Sequence, residues 1–387
     1  MPTSPMKNLL YRAALPFMAP TPHKQMTHIC TGTELHHQPY YEHLLIRHHV
    51  LGASLLLDDG TRQVQVHTSV RTPAHPCTAQ TVFRVASITK MASALVTLMC
   101  IGDGLFTLDT PVTQLLPEGP HHNVLQGITV RHLLCHTSGL RDIPAMDAAL
   151  REGRPFDDVL SAEGVRAGRP GEQMAYCNFG FGLIGCLLEH TTGQCIHDLF
   201  YQRLFVPLGM RATLDAASLD EGSIMPISRV LPYRAGQDVT VTALGRTALT
   251  APNPERHFGH TAGAMYTDCA SLARLLMLIG NGGIIDGQRL VSEAMMHEMT
   301  MLQSSTRTRT YGLGLVLLER SGISERRLLG HQGFAYGCVD GAFIEEGTGR
   351  MVVFLNGGAS EARTGKLGLV NRDVLTWALR KEMPSWT

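Results

Sequence analysis

The sequence contains no run of basic residues, and its charges cancel, since 33 lysines and arginines balance 33 aspartates and glutamates. Proteins that bind nucleic acid usually carry a basic patch that neutralises phosphates, so the composition argues against nucleic acid as a partner. The chain also lacks a run of about eighteen consecutive apolar residues, which a helix needs to cross a bilayer. We therefore expect no membrane span.

Paired cysteine motifs are missing as well. The nine cysteines are an odd number and form no C-x-x-C pair, so the sequence predicts neither a disulfide framework nor a zinc site. The nineteen histidines, among them the adjacent His121 and His122, show no ligand spacing with acidic residues. We therefore expect no metal ion and no other cofactor.

Three common catalytic motifs are absent: G-x-S-x-G, G-x-x-x-x-G-K and H-E-x-x-H. Their absence excludes the usual α/β-hydrolases, P-loop enzymes and zinc proteases. Near the N-terminus, the apolar stretch from Leu9 to Leu15 is interrupted by Arg12, and no small-residue cleavage site follows, so no signal peptide is predicted. A cytoplasmic location is the expectation, and a periplasmic one stays open.

The composition that remains is that of a globular protein, because 44% of the 387 residues are hydrophobic and 17% are charged. Scattered prolines with little periodicity predict a poorly ordered N-terminal arm over residues 1–35. Short strand patterns in 36–100 and 300–387 predict one α/β sheet domain. Residues 101–299 are predicted to be mainly helical, with an irregular loop over 211–260 that is typical of a substrate-facing lid.

Tight turns join the predicted strands. Asp59 and Gly60 follow an apolar run and precede alternating valines, and residues 346–349 separate two further apolar runs. Strands that follow one another through tight turns pair antiparallel. The predicted fold class is therefore α/β of the α+β type: an antiparallel β-sheet flanked by helices, with a large helical insertion between its two halves.

One stretch combines a nucleophile with an amine. Ser87 and Lys90 lie three residues apart at a predicted strand-to-helix junction, and residues three apart on a helix share a face. A serine nucleophile also needs a proton carrier and oxyanion donors. Two other stretches are candidates to supply them: Tyr176–Asn178 (Y-C-N) and His331–Gly333 (H-Q-G).

With these motifs in order, the chain resembles the serine β-lactamases and penicillin-binding proteins. Within them it is most similar to the class C-like branch of esterases, D-aminopeptidases, DD-carboxypeptidases and transesterases. S-x-x-K is intact, while Y-x-N and H-x-G stand in place of S-D-N and K-T-G. Further matches are L-C-H-T-S-G-L at 134–140, P-L-G-M at 207–210 and Y-G-L-G at 311–314. The resemblance implies the β-lactamase/transpeptidase-like fold.

By this resemblance Ser87 is the acylated nucleophile, and Lys90 and Tyr176 share its activation. Either a lysine with a lowered pKa accepts the serine proton, or a cationic lysine lowers the pKa of the tyrosine. The sequence leaves both assignments open, and in either case loss of Lys90 or Tyr176 should slow acylation by orders of magnitude.

The resemblance also suggests the binding residues. Asn178 would orient the lysine or the substrate carbonyl, and the backbone N–H groups of Ser87 and Phe334, the residue after Gly333, would form the oxyanion site. His331 is the main departure, because an imidazole is mostly neutral near pH 7, where many relatives carry a charged lysine. Binding of a β-lactam carboxylate is therefore in doubt.

Three hypotheses follow for the function. The first is a metal-free serine hydrolase that acts on a small ester or a peptide-like D-amino-acid amide. The second is a biosynthetic acyltransferase, a transesterase or thioesterase-like cyclase, with the same site and with a carrier protein as a partner at the 211–260 loop. The third is a non-catalytic receptor that kept the fold, against which the intact S-x-x-K and tyrosine argue.

Overall fold

The structure is a computed structural model that describes residues 4–19, 27–31, 38–69, 76–231, 248–319, 321–365 and 367–380. Its strands, in chain order, are β1 (Thr27–Thr31), β2 (Gly52–Asp58), β3 (Gln63–Ser69), β4 (Phe83–Arg84), β5 (Ala212–Thr213), β6 (Tyr266–Thr267), β7 (Ile284–Ile285), β8 (Gln288–Arg289), β9 (Ser304–Thr306), β10 (Arg309–Tyr311), β11 (Val316–Leu318), β12 (Leu328–Ala335), β13 (Cys338–Glu345), β14 (Met351–Asn356), β15 (Arg363–Thr364) and β16 (Leu367–Gly368).

The α-helices of the same residues are α1 (Pro5–Met18), α2 (Gln38–Arg47), α3 (Thr89–Gly102), α4 (Val130–Leu134), α5 (Pro144–Glu152), α6 (Phe156–Leu160), α7 (Asn178–Thr192), α8 (Ile196–Phe200), α9 (His260–Gly263), α10 (Cys269–Gly280), α11 (Glu293–Thr300) and α12 (Leu369–Leu379). In this part of the chain, no helix combines the length and the apolar character that crossing a bilayer requires.

The described strands include nine that form one antiparallel sheet, in the order β1-β3-β2-β14-β13-β12-β11-β10-β9. The β2–β3 hairpin turns at Asp59 and Gly60, as the sequence predicts, and β14 pairs with β2 so that Val353 lies opposite Leu56. The two ends of the chain therefore build one sheet, and the predicted fold class is confirmed.

Both faces of this sheet are buried. Along β2, Leu55 and Leu57 point to the face that α2 and α12 cover, where Trp377 stacks on Tyr41 with ring centroids 5.7 Å apart. Leu56 points to the opposite face, into the core that includes α3 and α10. Successive side chains of a strand alternate between faces, so a continuous apolar run indicates a strand covered on both sides.

The helix α10 lies within the segment 101–299, which the sequence assigns to the helical part, yet it packs on the sheet. The Cys269 thiol donates to the carbonyl of Ser54 in β2 at 3.3 Å, and the Asp268 side chain caps the helix by accepting the N–H of Ser271. By contrast, α3 packs against α7 and α9. Within the segment 101–299, α10 therefore belongs to the layer of helices that covers the sheet.

The prediction of a poorly ordered arm over residues 1–35 is wrong for its described part, because residues 5–18 are helical and 27–31 pair with β3. The Ser4 side chain caps α1 by accepting the N–H of Lys7. Pro5 stands at the first helical position, where no N–H donor is needed. Scattered prolines predict an irregular segment, but a proline at the first helical position favours a helix start. Residues 1–3, 20–26 and 32–35 lie outside the described residues.

One side of α1 docks on the rest of the protein. The Asn8 side chain donates to the carbonyl of Arg363, and the Tyr11 hydroxyl accepts the N–H of Glu361. Leu15 packs with Leu51 in a small apolar cluster. These contacts order α1 through tertiary structure rather than through its own periodicity.

The predicted irregular loop over 211–260 is described in two pieces. Residues 212–231 contain β5 and short 3₁₀ turns, and α9 begins at His260. Residues 232–247, the middle of the predicted lid, lie outside the described residues.

Replacing Trp377 with alanine should lower the free energy of unfolding by about 3–5 kcal/mol, because a large buried ring leaves a cavity between α2, α12 and the sheet. Urea denaturation measures this change. The matched control is Leu302→Ala, which removes a half-exposed side chain and should alter stability by less than about 0.5 kcal/mol. Equal effects of the two substitutions would contradict the assigned role of Trp377.

Candidate active site

Ser87 lies in the single 3₁₀ turn, Ala86–Ile88, that joins β4 to α3. Ala86 has φ 46°, in the left-handed region that alanine seldom adopts. The Thr89 hydroxyl holds this turn by donating to the carbonyl of Ala86 at 2.6 Å and accepting the N–H of Met265 at 3.1 Å. Ser87 is half-buried between two fully buried neighbours, so a strained turn presents its side chain.

Lys90, in the first turn of α3, is fully buried. Its Nζ lies 3.3 Å from Ser87 Oγ, 2.8 Å from Asn178 Oδ1 and 2.6 Å from the carbonyl oxygen of Ala262. Burial lowers the pKa of Lys90 to about 7, against the opposing attraction of the Asp142 carboxylate. A substantial fraction of this amine is therefore neutral near pH 7.

Tyr176 approaches Ser87 from the segment before α7. Its hydroxyl donates to Ser87 Oγ at 2.8 Å. Burial raises the pKa of Tyr176 well above its ordinary value, although Arg309, whose guanidinium lies 5.3 Å from the ring centroid, acts in the opposite direction. Ser87 Oγ thus has a neutral phenol on one side and the Lys90 amine on the other.

Asn178 begins α7 and depends on Asp142, a residue that lies in none of the sequence motifs. The backbone N–H groups of Asn178 and Phe179 donate to Asp142 Oδ1 at 2.7 and 2.9 Å, and Asn178 Nδ2 donates to Asp142 Oδ2 at 2.7 Å. The first N–H groups of a helix need an external acceptor, which was a signal that some acceptor exists. The sequence did not indicate which residue supplies it.

The strand β12 brings His331, Gly333 and Phe334 to the site. His331 is buried; its Nδ1–H donates to the carbonyl of Gln332 at 2.7 Å, and no described residue is a hydrogen-bond partner of Nε2. Burial and the nearby Lys90 lower the pKa of His331 to about 3. The imidazole is therefore neutral at physiological pH.

Gly333 is needed where β12 passes the serine turn. A Cβ atom at this position would lie 2.4 Å from the carbonyl oxygen of Val85 and 3.3 Å from the Cβ of Ala86. Only glycine lets the two backbones approach this closely. The next residue, Phe334, lies beneath the guanidinium of Arg363, which is 3.8 Å from its ring centroid.

Two arginines that no motif contains flank the site. Arg309 comes from β10 and lies over the Tyr176 ring, and Arg363 comes from β15 and lies over the Phe334 ring. Both are half-buried, and the charge of Arg309 contributes to lowering the pKa of Arg363, after burial as the main cause. The site thus has fixed positive charge beside its neutral imidazole, which no sequence signal indicated.

His136, in the L-x-H-T-S-G-L stretch, packs against the ring of Tyr176. The His136 ring packs 4.3 Å from the Tyr176 ring, and its Nδ1 accepts the N–H of Cys177 at 3.3 Å. Burial lowers the pKa of His136 well below its ordinary value, so the ring is neutral. The Ser138 hydroxyl instead accepts the N–H of Leu140. The stretch positions the tyrosine, and Ser138 makes a local turn contact.

Among the described residues, Glu189, Cys195 and His257 form one buried group with metal-ligating atoms within 4.8 Å of one another. Their hydrogen bonds are already made within the protein. Glu189 Oε1 accepts from Ile196 N and from His257 Nδ1, both at 2.7 Å, and the Cys195 thiol donates to a carbonyl. This group therefore links helices and loops structurally.

The fold and the Ser87 site together define a protein of the serine β-lactamase and penicillin-binding type. A family model for beta-lactamases matches residues 37–373. The chain therefore belongs to the beta-lactamase family, which confirms the resemblance inferred from the motifs.

Individual relatives differ in activity. Penicillin-binding protein 4 of Amycolatopsis lactamdurans is 30% identical over 189 residues, which are 46% of this chain and 48% of that protein, so the chain spans about half the length of that relative. Esterase EstB of Burkholderia gladioli is 26% identical over 343 residues, 79% of this chain and 84% of that protein. A solved structure of the D-amino acid amidase from Ochrobactrum anthropi SV3 is similar with a TM-score of 0.69, at 23% identity over 88% of this chain and 95% of that one. The last likeness concerns the fold.

Gly333→Ala should reduce kcat/KM about a hundredfold, because the added methyl group pushes β12 away from the serine turn. Hydrolysis of a p-nitrophenyl ester measures the loss. The matched control is Gly168→Ala, whose added Cβ would meet no atom within 4 Å and should leave the rate unchanged. A fully active Gly333→Ala variant would contradict the requirement for close approach.

Proposed function

We propose that this chain is a serine hydrolase that forms an acyl-enzyme on Ser87 and transfers the acyl group of a small ester or D-amino-acid-type amide to water. The observation that carries the proposal is the position of Ser87 Oγ, which lies 2.8 Å from the Tyr176 hydroxyl and 3.3 Å from Lys90 Nζ. A nucleophile within hydrogen-bond reach of two groups that carry protons has what acyl transfer requires.

In the proposed acylation step, neutral Lys90 accepts the Ser87 proton while Oγ attacks the substrate carbonyl carbon. The lowered pKa of Lys90 favours this assignment, since an amine with a pKa of about 7 is a base that is available at neutral pH. The proton then passes through the Tyr176 hydroxyl to the leaving alcohol or amine as its bond to the carbonyl carbon breaks. Tyr176, whose raised pKa keeps it protonated, acts as a carrier rather than as the base.

In the proposed deacylation step, water is the nucleophile and Ser87 is the leaving group. A water molecule gives its proton to the same Lys90 and Tyr176 pair as its oxygen attacks the acyl carbon. The ester bond to Ser87 breaks, and Oγ recovers the proton. Asn178, held by Asp142, keeps the Lys90 amine aimed at the serine during both steps.

We assign the oxyanion site to the backbone N–H groups of Ser87 and Phe334. The support is the close approach at Gly333, which brings β12 beside the serine turn. Backbone donors held on rigid elements stabilise a tetrahedral oxyanion without rearrangement.

The substrate class follows from His331 and from the relatives. The neutral imidazole of His331 means that the third motif itself supplies no charge for a β-lactam carboxylate. The fixed charge of Arg309 and Arg363 lies over aromatic rings and not on that motif. We therefore rank esters and amides above β-lactams. The similarity to EstB over most of both chains favours an ester.

No observation on the described residues favours an acyltransferase or a carrier-protein partner. The predicted docking place of such a partner is the 211–260 loop, and residues 232–247 of that loop lie outside the described residues.

The rate of acylation should depend on pH through Lys90. Because the cation is disfavoured by burial, deprotonation should occur near pH 7 rather than near pH 10. We therefore expect kcat/KM to rise about tenfold per pH unit below pH 7 and to level off above it. Stopped-flow measurement of p-nitrophenyl ester acylation from about pH 5 to 9 gives this profile.

Two variants separate the roles in that profile. Lys90→Arg should abolish activity and the titration, because a guanidinium stays protonated. Tyr176→Phe should lower the plateau by roughly 10²–10⁴-fold while keeping the titration near pH 7. A wild-type rate that still rises about tenfold per pH unit between pH 8 and 9 would overturn the assignment of a base with a lowered pKa to Lys90.

A fluorophosphonate should react covalently with Ser87, since the activated hydroxyl displaces fluoride from phosphorus. Intact-mass spectrometry should show one adduct on the wild type and none on Ser87→Ala. The matched control Ser305→Ala, which changes an exposed serine on β9, should still be labelled. Absence of an adduct on the wild-type protein would contradict every hypothesis in which Ser87 is the nucleophile.

Hydrolysis rates for a panel of p-nitrophenyl esters, D-amino acid amides and nitrocefin then rank the substrates.

A further inference from the structure

The helix α1 has an apolar face that docks and a second apolar face that does not. Its docked side contains Asn8, Tyr11 and Leu15, which contact Arg363, Glu361 and Leu51. Five large apolar side chains of the same helix are each more than 60% exposed: Met6 70%, Leu9 66%, Leu10 63%, Phe17 88% and Met18 62%. Single exposed apolar residues need no explanation, but a cluster of five on one helix marks an interaction site.

Four of these five side chains form a stripe, and Met18 falls outside it. At about 100° per residue, Met6, Leu9, Leu10 and Phe17 fall within roughly 100° of arc, opposite the docked residues. The two exposed cations, Lys7 and Arg12, fall on either side of that stripe, each about 110° from its centre. An apolar stripe with a cation along each border is typical of a helix that lies in a membrane interface, where the cations reach the headgroups.

The charge of this region favours anionic lipid over a second protein copy. The first acidic residue of the chain is Glu34, while Lys7, Arg12 and Lys24 precede it. Two copies of the chain that meet through this stripe would bring Lys7 and Arg12 of both together, and like charges repel. An anionic lipid surface accepts the apolar stripe and pairs with both cations.

We propose that the exposed stripe of α1, formed by Met6, Leu9, Leu10 and Phe17 and bordered by Lys7 and Arg12, binds the surface of membranes that contain anionic lipids. In the bound state α1 lies in the plane of the interface, with the stripe toward the acyl chains. Because α1 is tied to Arg363, which lies over Phe334, the bound surface would be adjacent to the rim of the Ser87 site.

The test is cosedimentation of the full chain with sucrose-loaded vesicles. Wild-type protein should pellet with vesicles of phosphatidylcholine and phosphatidylglycerol, and it should bind pure phosphatidylcholine vesicles far less. The double variant Lys7→Gln/Arg12→Gln should bind the anionic vesicles about thirtyfold more weakly, since each cation near the surface contributes about a fivefold gain. Leu10→Gln and Phe17→Ser should each cost roughly tenfold.

The matched control is Val206→Gln, which changes an exposed apolar residue outside α1 and should bind like the wild type. Circular dichroism of each variant checks that the fold persists, which is expected because every changed side chain is exposed. Wild-type protein that stays in the supernatant with anionic vesicles would overturn the proposal. So would stripe variants that bind normally, or a wild-type dimer in light scattering that Phe17→Ser converts to a monomer. Since vesicle binding is measured without turnover, the result does not depend on the proposed hydrolase activity.

Discussion

The burial of one amine organises the candidate site. Lys90 sits in the first turn of α3 with no exposed surface, and its Nζ is held by Asn178 of α7 and by the carbonyl of Ala262 in α9. Burying this polar group without hydrogen-bond acceptors would be very costly. The close approach of α3, α7 and α9 supplies those acceptors. The same burial favours the neutral amine, so the packing around Lys90 lowers its pKa to about 7.

The other ionisable groups around Ser87 follow the same rule. Burial keeps Tyr176 protonated and His331 neutral, so the centre of the site carries little charge of its own. Fixed positive charge is displaced to the rim, where Arg309 and Arg363 lie over aromatic rings. This arrangement differs from one with a lysine in the third motif, because the charge is carried by Arg309 of β10 and Arg363 of β15 and not by β12.

The N-terminal helix shows how tertiary contacts override composition. Prolines and weak periodicity suggest an unstructured arm, yet Ser4 and Pro5 start a helix that the body of the protein then holds through Asn8 and Tyr11. Docking uses one face and leaves a second apolar face in water. In the sequence, the residues of the exposed face and of the docked face belong to the same apolar run. Only the structure shows which of them contact the protein and which stay exposed.

The sequence by itself determined the antiparallel sheet and indicated the candidate residues of the site. Alternating strands with tight turns such as Asp59 and Gly60 are local patterns, and so is the helical spacing of Ser87 and Lys90. Tyr176, Asn178 and Gly333 were found through motif resemblance, and the structure places them within reach of the serine turn. Only the tertiary structure decided which groups are buried, and therefore which are neutral. It alone revealed Asp142, Arg309 and Arg363, because their roles depend on contacts between segments far apart in the chain, for which no short sequence pattern exists.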